Sequence, residues 1–338
     1  MNAKLKTVTI AGIIVVFAAI VFVLSQIRPQ KDFSYKGPVE PVTIGVVGDT
    51  SFLVLYAQEK ELFMANGLGV EIVKYTVGAQ ALEDLINKEV DVAVGADYIG
   101  VLNRFENNSF KVVAEVAKTN AYEVVARTDL GIQDPMDLKG KRFGVTKGTA
   151  GDYWLGVFMR SNRLKEGDFE IVNLRPAEIQ EALIAGDIVA GLNLEPHTSN
   201  TKEALSGNTV SWHGERGQGI YSLLYVSQEM IDQQPAVVSR LVESVLKARE
   251  YYVQNRQEGL DFLQNYFNHS DKYMEEVVIP KYSFDVGLSE ALLLTMEDQA
   301  RWMIGNGLTK ESAVPNYLDL TYFWPLDSLR PGAVTIIH

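Results

Sequence analysis

Four carboxylates stand where apolar runs break into turns: Asp49, Asp97, Asp152 and Glu195. Two of those turns are rich in small and hydroxyl residues, Gly48-Asp49-Thr50-Ser51 and Gly148-Thr149-Ala150-Gly151. Small residues let a backbone approach a ligand, and N–H groups at such a turn can hold an anionic or carbonyl group. Thr50, Ser51 and Thr149 add hydroxyls. A carboxylate at the same mouth suits an amine, an amidine-like nitrogen or a ring N–H. Glu195, opposite Asp49 or Asp97, is the strongest candidate for that role, with Asn193 on the same run. Tyr98, Tyr122, Tyr153, Trp154, Trp212 and Tyr221 flank these turns, and one or two could stack on a flat group or enclose an ammonium. Each residue also has a plainer use. Asp49 and Asp152 can cap helices, Asp97 can sit solvated in a loop, and most aromatics belong to a core.

The chemistry that is missing narrows the reading. There is no cysteine, so thiolate nucleophiles, thiolate metal sites and disulfides are excluded. The histidines His197, His213, His269 and His338 show no metal-ligand spacing. Gly45, Gly48 and Gly78 do not make a dinucleotide fingerprint, and the Gly148 turn lacks the spacing of a nucleotide-hydrolysing loop. Binding without catalysis is expected, with no cofactor.

The elements that must position these turns repeat. Gly45 and Thr50 in the first copy correspond to Gly144 and Thr149 in the second, 99 positions on in both cases. Leu85-Ile86 and the run 90–97 are echoed by Leu183-Ile184 and 188–195. Strands are expected at 42–47, 70–73, 90–94, 111–116, 122–126, 142–146 and 219–226, with helices at 52–63 and 79–87 between them. Helix alternating with strand implies mainly parallel sheets. After residue 226 the periodicity is helical, at 236–254, 258–267 and 289–305, and reads as packing for the first lobe. The chain crosses between lobes near 122–127 and again near 219–226, which makes a two-strand hinge. The expected organisation is lobe 1 at 42–126 and 220–338, and lobe 2 at 127–219, with a ligand cleft between them.

The chain has 338 residues and a formal net charge of −12, which disfavours nucleic acid as a partner. Lys4 and Lys6 precede an apolar run over 8–24, close to the ~20 residues that span a bilayer. Ser25-Gln26-Ile27-Arg28 lacks the small residues of a cleavage site. Residues 1–28 are expected to be an uncleaved single-pass membrane anchor and 29–41 a linker, with the folded part extracytoplasmic. Cleavage near Ser25 is the alternative.

Several stretches carry a family resemblance. Asp137-Leu138-Lys139-Gly140-Lys141-Arg142-Phe143-Gly144-Val145, followed by Gly148-Thr149, resembles the second-lobe entry of substrate-binding proteins for ABC importers. The closer likeness is to the NMT1/THI5-like group, which handles nitrate, taurine, aliphatic sulfonates and thiamine-precursor pyrimidines. Tyr56-Ala57-Gln58-Glu59-Lys60-Glu61-Leu62-Phe63 with Gly67-Leu68 is similar to that group's opening helix and turn. Ala182-Leu183, Gly186-Asp187 and Glu195-Pro196 match its second helix–strand unit. The resemblance implies a two-lobed α/β periplasmic-binding-protein-like fold of type II. It also implies capture of a small solute, delivered by a monomer to an ABC permease and its ATPase. The carboxylates favour a taurine-like zwitterion or an aminopyrimidine as that solute. The residues expected to touch it are Asp49, Thr50, Ser51, Asp97, Tyr98, Tyr122, Gly148, Thr149, Ala150, Gly151, Asn193, Glu195 and Tyr221. A fold-related pyrimidine-forming enzyme and a sensor input domain are the competing readings.

Overall fold

The computed structural model describes residues 35–106, 109–214 and 218–337, and Gly37–His338 form one compact unit. The expected anchor at 1–28 lies outside the described residues, as does the first part of the linker, 29–34. Among the described residues no helix is long and apolar enough to cross a membrane.

Within the described residues, eleven strands form two sheets. They are β1 (Glu40–Val47), β2 (Leu68–Tyr75), β3 (Val92–Ala96), β4 (Phe110–Thr119), β5 (Tyr122–Arg127) and β6 (Arg142–Val145), then β7 (Glu170–Asn173), β8 (Ala190–Leu194), β9 (Thr209–His213), β10 (Ile220–Ser227) and β11 (Tyr282–Ser283). The first sheet has the order β11-β4-β10-β3-β1-β2 and the second β7-β6-β8-β5-β9. Taken from the same edge, β2-β1-β3-β10-β4 corresponds to β7-β6-β8-β5-β9. In both, the first two pairings are parallel and the fourth strand is antiparallel to its neighbours.

That fourth strand is the one arriving from the other lobe. β5 is the first strand after the chain leaves β4, and β10 is the first after it leaves β9. Two expectations change as a result. Residues 122–126, placed in lobe 1 from the sequence, pair with β8 and β9 in the second sheet, because the chain crosses at Asn120-Ala121. The sheets are also mixed rather than mainly parallel. An apolar strand carries no signal of which sheet it will join or in which direction.

The repeat seen in sequence has a packing cause. A Cβ added at Gly45 would lie 2.9 Å from the Tyr75 ring and 3.2 Å from Ala81 Cβ. At Gly144 it would lie 2.7 Å from the Ile188 side chain and 3.4 Å from Ile179. The glycines sit on the corresponding strands β1 and β6, where the helix at Gly78–Ile86 or at Pro176–Ala185 presses onto the sheet. The expected helix at 52–63 is interrupted at Glu61, which takes a φ of 54° between helices Phe52–Glu59 and Leu62–Ala65.

The lobes also meet through side chains. Helix Ala150–Ser161 of the second lobe lies against helices Asp97–Phe105 and Glu290–Gly305 of the first. The Tyr153 ring is 6.4 Å from Tyr98 and 5.7 Å from Trp302. Gly156 leaves room for that indole, since a Cβ there would come within 2.9 Å of Trp302 Nε1.

Candidate functional site

The turn after β1 is held by its own hydroxyls. Gly48 takes a φ of 50°, which favours glycine. Ser51 Oγ accepts from Val47 N at 2.8 Å and donates to Val47 O at 3.1 Å, and Thr50 Oγ1 also donates to Val47 O. Ser51 is fully buried in this turn and stands outside the cleft. Asp49 and Thr50 line it.

The matching turn after β6 is built in the same way. Gly148 N donates to Asp152 Oδ2 at 3.1 Å, and Lys147 Nζ lies 2.9 Å from Asp152 Oδ1. Thr149 Oγ1 donates to Thr146 O and accepts from Gly151 N at 3.1 Å, capping the helix Ala150–Ser161. Gly148 N, Thr149 Oγ1 and Gly151 N are thus spent on the turn. Ala150, the first helical residue, lines the cleft. Its N–H has no partner within the helix, as at every helix start.

At the end of β3, Asp97 is buried. Gln299 Nε2 donates to Asp97 Oδ2 at 2.9 Å and Tyr98 N to Oδ1 at 3.0 Å. Burial pushes its carboxyl up to about 7 despite those bonds. Tyr98 packs on Tyr153 and does not line the cleft, where Ala96 stands instead. Tyr221 is also outside the lining, with Lys118 Nζ 4.8 Å from its ring centre.

At the end of β8, Asn193 is occupied by backbone. Its Nδ2 donates to Pro176 O at 2.8 Å and its Oδ1 accepts from Leu194 N at 3.0 Å. Glu195 lines the cleft, but its carboxylate is already engaged. Oε2 accepts from Ser199 N at 3.2 Å, and Oε1 accepts from Lys281 Nζ at 2.5 Å. Lys281 also lies 2.6 Å from Glu123 Oε1, and Lys202 pairs with the other oxygen of Glu123. Burial alone would raise the Glu123 carboxyl. The two lysines outweigh it and hold the group below its usual value. Burial likewise works against the Lys281 ammonium, and the two glutamates win, raising it.

Together these turns enclose a cavity of about 880 Å³. Of the residues expected to touch a ligand, it brings together Asp49, Thr50, Tyr122, Ala150 and Glu195. Ser51, Asp97, Tyr98, Gly148, Thr149, Gly151, Asn193 and Tyr221 have the structural engagements just described.

One wall of the cavity has no counterpart among the sequence expectations. Helix Arg256–Phe267 ends on Asn268, whose φ of 56° is the left-handed cap asparagine tolerates. Ser270 caps the next turn, accepting from Tyr273 N at 3.1 Å. His269 is held between these two ends, with its ring 5.6 Å from Phe267 and 4.4 Å from Tyr273. Phe267, His269, Tyr273 and Tyr282 all line the cavity, and Lys74 stands over the Tyr266 ring at its edge. Burial pushes the Tyr273 and Tyr282 hydroxyls far above their usual value, so both stay protonated. His269 Nε2 is 2.7 Å from Asp49 Oδ1. An ionised carboxylate only accepts, so this nitrogen carries the proton. The sequence signal was the cluster Tyr266-Phe267-Asn268-His269-Ser270 at the end of a helix.

Chemically, both carboxylates in the lining are paired inside the protein. The rest of the lining includes a helix N-terminus, phenolic and aliphatic hydroxyls, Lys74 and aromatic faces, which suit a small anion with an apolar body.

Comparison with known proteins agrees with this geometry. The family model described as NMT1/THI5 like matches residues 50–259. The taurine-binding periplasmic protein of Escherichia coli (strain K12) is 25% identical over 243 residues, covering 70% of this chain and 71% of that protein. The periplasmic aliphatic sulphonate binding protein SsuA from Escherichia coli superposes with a TM-score of 0.71 at 17% identity, covering 84% of this chain and 97% of the other. The alkanesulfonate-binding protein SsuA from Xanthomonas axonopodis pv. citri, bound to MOPS, gives 0.67 at 18% identity, covering 85% and 99%. At these identities the solved structures establish the fold, a two-lobed periplasmic-binding-protein architecture.

Proposed function

The chain belongs to the NMT1/THI5-like family, and from that premise we propose that it is an extracytoplasmic solute-binding protein that captures a small sulfonate-headed molecule between its lobes. It hands that solute to an ABC-type permease and its ATPase, and performs no catalysis. Residues 1–28 tether it to the membrane as a single-pass anchor, and it works as a monomer.

The observation that carries this reading is the inter-lobe cavity of about 880 Å³, with Asp49 and Thr50 on one lobe facing Ala150 and Glu195 on the other. A sulfonate spreads one charge over three oxygens and needs donors rather than a single strong base. The N-terminus of the helix Ala150–Ser161, with its partial positive charge, is such a donor. Tyr122, Phe267, Tyr273 and Tyr282 supply apolar surface for the rest of the molecule. The names of the relatives, taurine-binding and aliphatic sulphonate binding, point to the same head group.

Thermal-shift screening of the purified chain against taurine, short alkanesulfonates and nitrate tests it. A sulfonate should raise the melting temperature and compact the protein in solution scattering. Stabilisation by nitrate alone would reject a sulfonate-headed solute.

A further inference from the structure

Lys281 is the residue that decides what the far end of the ligand can be. It belongs to the first lobe, directly before β11, and its carbonyl accepts from Asn120 N at 3.0 Å where the chain crosses between lobes. Its ammonium reaches two carboxylates of the second lobe, Glu195 at 2.5 Å and Glu123 at 2.6 Å. With Lys202 on the far side of Glu123, the groups alternate in sign along a chain of four and sum to zero. The Glu195 side chain is 1% exposed and that of Lys281 11%. The pair is therefore shielded from bulk water, and its charges are not loosened by solvent.

Among the described residues, the carboxylates lining the cavity are Asp49 and Glu195. Asp49 is taken by His269, and Glu195 by Lys281 and the Ser199 N–H. An ammonium group entering the closed cleft would lose its water and meet no carboxylate with both oxygens free. A buried ammonium without such a partner is strongly disfavoured. A neutral or apolar end incurs no such loss against Tyr273 and Tyr282.

Accepting the sulfonate reading above, we propose that Lys281 is a specificity-determining residue: by occupying Glu195 it makes the cleft select sulfonates with a neutral tail over zwitterions of the taurine type. Removing the ammonium while keeping its aliphatic bulk would return Glu195 to the ligand and reverse the preference.

The experiment is calorimetry of the full chain with ethanesulfonate and with taurine, which differ by one amino group. The wild type should bind ethanesulfonate about tenfold more tightly or better. Lys281→Met should bring the two affinities level or favour taurine. The double variant Glu195→Gln with Lys281→Met should restore the wild-type order, because the unpaired carboxylate is gone. Wild-type binding of taurine as tight as ethanesulfonate would overturn the proposal without need of a variant, as would an unchanged ratio in folded Lys281→Met. Binding of neither compound would overturn the sulfonate reading itself, and the proposal with it.

Discussion

His269 Nε2 lies 2.7 Å from Asp49 Oδ1, joining the end of a C-terminal helix to the first turn of lobe 1 across 220 positions of sequence. The pair fixes both sides of the cleft wall at once. It also screens Asp49, whose charge would otherwise face an anionic ligand.

His269→Ala is therefore expected to weaken sulfonate binding by roughly tenfold, since an unpaired carboxylate in a closed cleft opposes the anion by about 1–2 kcal/mol. Asp49→Asn combined with His269→Ala should recover most of the loss. Calorimetry on the wild type, both single variants and the double variant gives the coupling. Equal losses that simply add would show that Asp49 is not what His269 guards against.

Gly156 gives a test of lobe contact that touches no ligand group. A valine there would collide with the Trp302 indole, which lies 2.9 Å from the position of a Cβ. Overpacking of this kind costs about 1–3 kcal/mol. Because the strain falls on the inter-lobe contact, Gly156→Val should expand the protein in solution scattering and lower ligand affinity. A variant with unaltered scattering profile and affinity would mean the helix Ala150–Ser161 need not approach Trp302 for binding.

Asp97 makes a prediction about pH. Its carboxyl is pushed up to about 7 in the fold, above the usual carboxylate range, by burial. A raised carboxyl binds its proton more tightly when folded than when unfolded. Its contribution is thus favourable at low pH and is lost as pH rises through about 7. Stability of the wild type should fall between about pH 5 and about pH 8, by on the order of 2 kcal/mol. Asp97→Asn keeps one oxygen for the Tyr98 N–H and turns an amide donor toward Gln299, whose Oε1 can accept once that side chain flips, and should flatten that slope. Parallel slopes in denaturant titrations of the two proteins would count against an uncharged Asp97.

The proposed membrane anchor rests on the apolar run at 8–24 that follows Lys4 and Lys6. Mass spectrometry of protein recovered from membranes should find peptides that contain those lysines. A mature N-terminus near Ser25 would instead mean cleavage and release.

The internal repeat was readable because the same steric demand recurs, at Gly45 under Tyr75 and at Gly144 under Ile188. A demand of that kind leaves the same residue type at the same place in each copy. The turns at Asp49-Thr50 and Ala150, which line the cavity, stand out in the sequence for the same reason. Ser51 and Asn193 bond to backbone instead, and a polar residue at a strand end looks identical whether it serves a ligand or its own backbone. His269, Tyr273 and Tyr282 have no counterpart in the repeat, and the helices around them show ordinary amphipathic spacing. Their place in the cleft follows from how the C-terminal arm folds back. Lys281 was invisible as the partner of Glu195 for the simplest reason: ion pairs across 86 positions leave no local pattern. The assignment of β5 to the second sheet was equally hidden, since its alternation fits either lobe.

The most direct test of the cleft as a sulfonate site uses the backbone donor of the first helical residue after the turn. Ala150 is the first residue of its helix, where proline is well tolerated, and Thr149 before it is already extended, with φ −115° and ψ 178°. Ala150→Pro should therefore fold and melt like the wild type while lacking the N–H. Ala150→Ser, which retains it, serves as the control for bulk. Titration calorimetry with ethanesulfonate should show one site per chain in the wild type and in Ala150→Ser, and binding weakened by about tenfold or more in Ala150→Pro. Undiminished binding by a folded Ala150→Pro protein would contradict a sulfonate held at this helix N-terminus.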